Sequence, residues 1–180
     1  MKPIVSPNIR LRCPDAFVIG EGSIIDDYCY FSTRLEIGRY THIANNCSAA
    51  GGRERLFRVG DYCSLSAGVR IWCTSDDFVN DVVALPPPGM VDPKDHLISA
   101  DVSLANFTAV GCNSVVMPGN RIPEGTVIGA MSYVPPFAEL LPWHVYAGVP
   151  ARPIRPRNRA NVERQVAEME AFVRGRSPSE

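Results

Sequence analysis

Residues 98–134 read ISADVS LANFTA VGCNSV VMPGNR IPEGTV IGAMSY V. An aliphatic residue opens every unit (Ile98, Leu104, Val110, Val116, Ile122, Ile128, then Val134). Four places on stands a residue slender enough to stack: Val102, Thr108, Ser114, Asn120, Thr126 and Ser132. A six-residue period matches neither a 3.6-residue helix nor strands alternating between hairpin turns. It predicts a parallel β-helix in which three hexapeptides make one coil.

The same beat runs earlier, through Ile19, Ile25, Phe31, Ile37, Ile43 and Ala49, with Ser23, Cys29, Leu35, Thr41 and Cys47 four places after the first five. On this count Phe31 stacks beneath Ala49, a large residue beside a small one, which conserves core volume. The count slips before Val59, which puts a corner bulge in GGRERLFR, and it resumes through Leu65 and Ile71. The next opening residue is Ile98, so residues 76–97 are expected to leave the coil as one extruded loop of about twenty residues. Its Val79, Val82, Val83, Leu85 and Pro86 to Pro88 offer apolar surface for docking on a neighbouring subunit. The hexapeptides suffice for about five coils, a prism roughly 25 Å tall at about 4.8 Å per coil.

After Val134 comes ELLPWHVYAGVPARPIRPR, whose prolines deny it helical hydrogen bonds. Val162, Val166, Met169 and Val173 then fall at helical spacing, with Asn161 as the cap and Gly175 just past the end. The expectation is a short amphipathic helix lying across the open end of the coil and shielding its sheet edges. The chain thus divides into a β-helix domain (1–157) and a C-terminal helix and tail (158–180). Its class is all-β, a parallel β-helix with one extruded loop and one short helix.

With 180 residues and a formal net charge of -1, the chain has room for one continuous core and no basic footprint for nucleic acid or an anionic membrane. There is no run of eighteen apolar residues, and MKPIVSPNIR lacks a signal-peptide core. A cytoplasmic protein without a membrane span is expected. Of the six cysteines, Cys29, Cys47 and Cys63 occupy inward positions, where a thiol packs as a small hydrophobe. No CxxC pair or zinc-finger spacing is present, and no metal is expected.

The repeats, the loop after the third block and the ending YAGVPARPIR (146–155) resemble the left-handed β-helix acyltransferases, the hexapeptide-repeat enzymes that use acyl-CoA. Left-handed coiling rests on that resemblance alone, against the usual right-handed crossover preference. IGRYTHIANNCS (37–48), VGDYCSLSAGVRIW (59–72) and CTSDDF (73–78) resemble the branch that serves sugars of bacterial surface polysaccharides, including O-antigen. The resemblance implies acetyl-CoA as co-substrate, a sugar or nucleotide sugar as acceptor, and a homotrimer with active sites between subunits. It places CoA contacts on Gly148, Val149, Pro150, Ala151 and Arg152, and pantetheine contacts on the backbone around Gly111, Gly129 and Ala130. Arg152 and Arg155 suit the nucleotide phosphates, because a guanidinium forms paired charge-assisted bonds.

Many members of the family place a histidine soon after the third block. Here the matching position is Asp76, followed by Asp77 and Phe78. A carboxylate with an ordinary pKa of about 3.9 is a poor base toward an alcohol, whereas imidazole at about 6.5 is well matched. An amine that is neutral in a desolvated site attacks a thioester without prior deprotonation, which tilts the reading toward an amino sugar over a hydroxyl. His42 precedes inward Ile43 and so points outside the coil. It is the first base candidate, with Asp76 or Asp77 orienting it or binding the acceptor; His96 and His144 are the others. Asp26, Asp27 and Phe78 are candidate sugar contacts. Two other readings compete: a non-catalytic hexapeptide-repeat subunit, and a γ-type carbonic anhydrase, which would need three imidazoles around zinc.

Overall fold

Each hexapeptide has room for only a short extended segment between two corners, and the strands are accordingly two to four residues long through the coil. A computed structural model describes residues 1–80, 87, 89, 90, 92 and 95–175. The apolar loop residues Val82, Val83, Leu85, Pro86 and Pro88 lie outside the described residues. Three parallel sheets form the faces of the prism. The first stacks Ile4–Val5, Ile24–Ile25, His42–Ile43, Ser64–Leu65, Ala109–Val110, Val127–Ile128 and His144–Ala147. The second runs from Arg10–Leu11 through Tyr30–Phe31, Ser48–Ala50, Arg70–Trp72 and Val115–Val116 to Tyr133–Val134. The third runs from Phe17–Ile19 through Arg34–Ile37, Leu56–Val59 and Val102–Leu104 to Arg121–Ile122.

The first face therefore has roughly seven levels instead of the five expected. The additional levels come from Ile4–Val5 and His144–Ala147, segments too irregular to register as hexapeptides. Their backbones pair in register all the same, Ile4 with Ile24 and Val127 with Val145.

Inside the coil the opening residues stack as expected. Phe31 pairs with Ala49 and Ala49 with Ile71, and all three are fully buried. The slender positions form a second interior ladder. Ser23 Oγ donates to the Gly38 carbonyl at 2.7 Å, Thr41 Oγ1 to the Gly60 carbonyl at 2.8 Å, and Asn120 Nδ2 to the Pro135 carbonyl at 2.9 Å. These bonds satisfy polar groups that would otherwise be costly to bury. Cys29, Cys47 and Cys63 are buried and free. Burial also pushes the Cys73 thiol up to about 12, consistent with packing and not reactivity.

Two expectations give way at the extruded loop and the C-terminus. Ile98 does not open a coil. It lies in an antiparallel pair, Thr74–Asp76 with Leu97–Ser99, that forms the base of the loop, and the parallel ladder resumes where Leu104 pairs with Val59. The helix, Arg159–Gly175, does not cross the open end. Its cap is Asn158, whose Oδ1 accepts the Asn161 N–H at 3.0 Å. It runs down a corner on which Tyr40, Tyr62, Phe107 and Trp143 stack with ring centroids 5.3, 5.8 and 6.0 Å apart in turn. Arg159 lies over the Trp143 ring, and Tyr62 Oη donates to Glu170 Oε1 at 3.1 Å. Gly125 leaves room for this ladder, since a Cβ there would stand 2.3 Å from the Trp143 indole.

The terminal edge is closed instead by the proline-rich tail. Arg152–Pro156 turns back antiparallel on His144–Ala147, and the Gly148 carbonyl accepts the Tyr133 N–H at 3.0 Å. No helix among the described residues is long and apolar enough to cross a membrane.

Candidate active site

Alternation along the first face turns one residue of each strand outward. The register aligns Ile24, His42, Ser64, Ala109, Val127 and Val145 in a single outer column. The hairpin extends it: Arg155 pairs with Val145 and Arg152 with Ala147. Arginines three positions apart would ordinarily face opposite ways, but the register shifts between Val145 and Tyr146, and this bulge returns both to the outer surface. His42 at the lower end and Arg155 at the upper end are thus joined by small or slender side chains over five strand spacings, about 24 Å.

Beside this column, just past the strands, runs a second one: Asp26, Ala44, Ser66, Gly111 and Gly129, each donating its backbone N–H to the next coil. Gly111 and Gly129 give their N–H groups to the Ile128 and Tyr146 carbonyls at 2.8 and 2.7 Å. A Cβ on Gly111 would come within 2.4 Å of the Ala130 nitrogen. Coil stacking thus already requires glycine at 111 and already uses those two donors. Ala130, at the corner, is exposed.

The two columns meet at a hydrogen-bonded dyad. His42 Nε2 lies 2.9 Å from Asp26 Oδ2, both side chains being close to half exposed. Asp27, next in sequence, turns the other way and accepts hydrogen bonds from Ser6 Oγ and Asn8 Nδ2. A shallow hollow of about 360 Å³ opens here, lined by Ile4, Ser6, Asp26, Asp27, Tyr28 and Asn45. A larger hollow, about 570 Å³, lies on the third face around Glu36, Arg58, Asp61 and Ser103; it contains none of the predicted site residues.

Asp76 and Asp77 sit elsewhere, at the corner where the second face ends. Asp76 pairs with Leu97 at the loop base. The Asp77 N–H donates to the His96 carbonyl at 2.9 Å, and its carboxylate accepts from Asn80 Nδ2. Phe78 begins a short 3-10 turn and is 62% exposed. Within one chain, then, His42 is oriented by Asp26, while Asp76, Asp77 and Phe78 form a separate group one face away. His96 and His144 bond to the Asp92 and Pro142 carbonyls, so the three imidazoles occupy three separate places. Among the described residues no His, Cys, Asp and Glu group could hold a metal ion.

Ser66 is a residue that the hexapeptide reading passed over. It lies in the small-residue column two levels above Asp26, half-buried, and its hydroxyl has no hydrogen-bond partner among the described residues. The available signal was its position: outward, just past a strand, in a column where neighbouring levels carry alanine or glycine.

No protein-family model matches the chain. It is 30% identical over 154 residues to the dTDP-4-amino-4,6-dideoxy-D-glucose acyltransferase of Escherichia coli, an alignment covering 83% of this chain and 76% of that enzyme. Its structure matches AntD, an N-acyltransferase from Bacillus cereus solved in complex with dTDP and 3-hydroxybutyryl-CoA, with TM-score 0.83 and 28% identity over 95% of this chain and 88% of that one. A galactoside acetyltransferase in complex with coenzyme A matches with TM-score 0.63 and 25% identity over 82% and 69% of the two chains. AntD has also been solved with a serine substituted and with an aspartate ten positions later substituted. Ser66 and Asp76 are the one serine–aspartate pair at that spacing here.

Proposed function

Because the chain belongs to the left-handed β-helix, hexapeptide-repeat acyltransferases, we propose that it transfers an acyl group from acyl-CoA to the amino group of a dTDP-linked 4-amino sugar. The observation that carries this reading is the likeness, along 95% of the chain, to an N-acyltransferase complexed with both dTDP and an acyl-CoA. An amine acceptor also accords with Asp76 at the position where a stronger base would serve a hydroxyl. Acyl-CoA lies along the outer columns of the first face, its phosphates toward Arg152 and Arg155 and its thioester toward Ser66. The hairpin bulge that brings both guanidinium groups to that surface supports this placement.

The reaction forms a C–N bond between the sugar nitrogen and the thioester carbonyl carbon, through a tetrahedral oxyanion. Collapse breaks the C–S bond, and the CoA thiolate leaves with the electron pair. Asp76 accepts a hydrogen bond from the incoming amine and takes up the proton that the nitrogen loses. Ser66 donates its hydroxyl to the oxyanion or the thioester oxygen. His42, held by Asp26, flanks the donor on the same face.

Since Ser66 and Asp76 stand at opposite edges of the second face, we assign the site to a junction between subunits of a homotrimer. One protomer supplies the Ser66 corner, and its neighbour supplies the Asp76 loop. The product enters a cell-surface polysaccharide such as O-antigen, and the enzyme works in the cytoplasm. The test is acceptor-dependent release of free CoA thiol from acetyl-CoA and longer acyl-CoAs, with dTDP-4-amino-4,6-dideoxyglucose and with its 4-hydroxy counterpart. Thiol release with the amine alone supports the reading; none with any amino sugar overturns it.

A further inference from the structure

Below the loop base, the corner between the second and third faces gathers an unusual density of positive charge. Arg12, Arg34, Arg53 and Arg55 meet there, with Asp15, Glu54 and Asp101 of opposite sign, in a chain whose overall charge is -1. Arg53 forks onto Asp15. Arg12 lies beside the Tyr30 phenol, and among the described residues its guanidinium makes no ion pair with a carboxylate. Arg34 Nε is buried without a hydrogen-bond partner among the described residues. Arg55 Nε donates to Ser99 Oγ at 2.9 Å, and Ser99 Oγ in turn lies 2.7 Å from Thr74 Oγ1. This corner is thereby joined directly to the strand that ends in Asp76.

The corner is also concave. Arg12 and Arg53 flank a hollow of about 410 Å³ whose other walls are Cys13, Ser32 and Gly52, a volume within the usual ~300–1,000 Å³ of small-molecule sites. Gly52 faces open space, where an added Cβ would meet nothing within 4 Å. The four-residue slip in the hexapeptide count falls at this corner, and two residues of the slipped segment, Gly52 and Arg53, line the hollow.

Resting on the function proposed above, we propose that this hollow receives the diphosphate of the nucleotide-linked acceptor, with Arg12 and Arg53 as its principal contacts. Guanidinium groups match the paired oxygens of a diphosphate, and the Ser32 hydroxyl supplies a further donor. From Arg12 through Ser32 and Ala50 to Trp72, the outer column climbs three coil levels, about 14 Å. A diphosphate bound at its foot directs the attached sugar up toward the Asp76 loop. Arg53 exchanges its contact with Asp15 for one with phosphate, so Asp15 competes with the ligand.

Calorimetry on the full-length protein tests this with dTDP, thymidine and CoA as separate probes. Arg12→Ala and Arg53→Ala should each weaken dTDP binding about tenfold or more while leaving CoA affinity unchanged. Asp15→Asn should tighten dTDP several-fold by freeing Arg53. If Arg53 served only to hold Asp15, Asp15→Asn would behave like Arg53→Ala, which overturns the assignment. Unchanged dTDP affinity in both arginine variants of an enzyme that still acylates the dTDP-amino sugar overturns the diphosphate site and leaves the function standing. Failure of the unsubstituted protein to bind dTDP or acylate any nucleotide sugar overturns both.

Discussion

His42 and Asp26 lie on adjacent coils, in neighbouring outer columns of one face, with Nε2 and Oδ2 2.9 Å apart. Both residues belong to the coil, which brings the imidazole and the carboxylate together. An Nε2–H donated to Asp26 leaves Nδ1 as the free acceptor. If His42 relays a proton during acyl transfer, His42→Ala should lower kcat by more than about tenfold, and Asp26→Asn should give a smaller loss in the same direction. Near-normal turnover in His42→Ala removes it from the mechanism.

Asp76 and Ser66 are expected to divide their effects differently. Asp76→Asn keeps the size of the side chain but cannot accept the amine's proton, so kcat should fall about a hundredfold, with dTDP binding retained. Ser66→Ala should lower kcat with little change in acceptor KM, as for an interaction made chiefly in the transition state. Single-turnover kinetics of the two variants make the distinction. An Asp76→Asn enzyme with wild-type kcat would show that the CoA thiolate or solvent takes the proton unaided.

The fold was legible because a period of six constrains every third of a coil at once. The eighteen-residue count stacks Phe31 beneath Ala49, and the register bears this out, with Ile71 following on Ala49 across the corner bulge. What escaped were features that break the beat. Ile98 has the spacing of an opening residue, yet Thr74–Asp76 needed a partner strand and took Leu97–Ser99. An uncovered sheet edge predicts a helix across the open end, whereas the tail hairpin covers that edge. The helix found its own apolar surface in the aromatic corner. Those rings recur with the coil, at Tyr40, Tyr62, Phe107 and Trp143, but at corner positions with positive φ, where a sequence reading expects glycine. Site residues were harder still. Their types could be identified, but which corner each occupies depends on insertions that shift the register without changing the pattern.

The stacking of large on small makes a prediction about the core. Phe31→Ala removes a fully buried ring from between its neighbours and should cost about 3–5 kcal/mol. Ala49→Phe places a second ring directly between Phe31 and Ile71, and overpacking should cost about 1–3 kcal/mol or more. Combining the two moves the volume one level along the stack and should recover part of the loss, a non-additivity readable by denaturant unfolding of the double-mutant cycle.

The aromatic corner makes the last prediction, one about pH. Burial first, and then the Glu170 hydrogen bond, push the Tyr62 phenol up to about 12 from its ordinary 10. The folded state thus favours the neutral phenol. Its contribution to helix docking is fully present below about pH 10 and is lost as the pH rises toward 12, since ionisation sets a phenolate against Glu170. Hydrogen exchange or limited proteolysis of residues 159–175 should therefore show the helix loosening across that window while the coil remains protected. Tyr62→Phe should remove the step, because it keeps the stack on Tyr40 and Phe107 but has no proton to lose. A helix that loosens equally in Tyr62→Phe would locate the alkaline transition outside this corner.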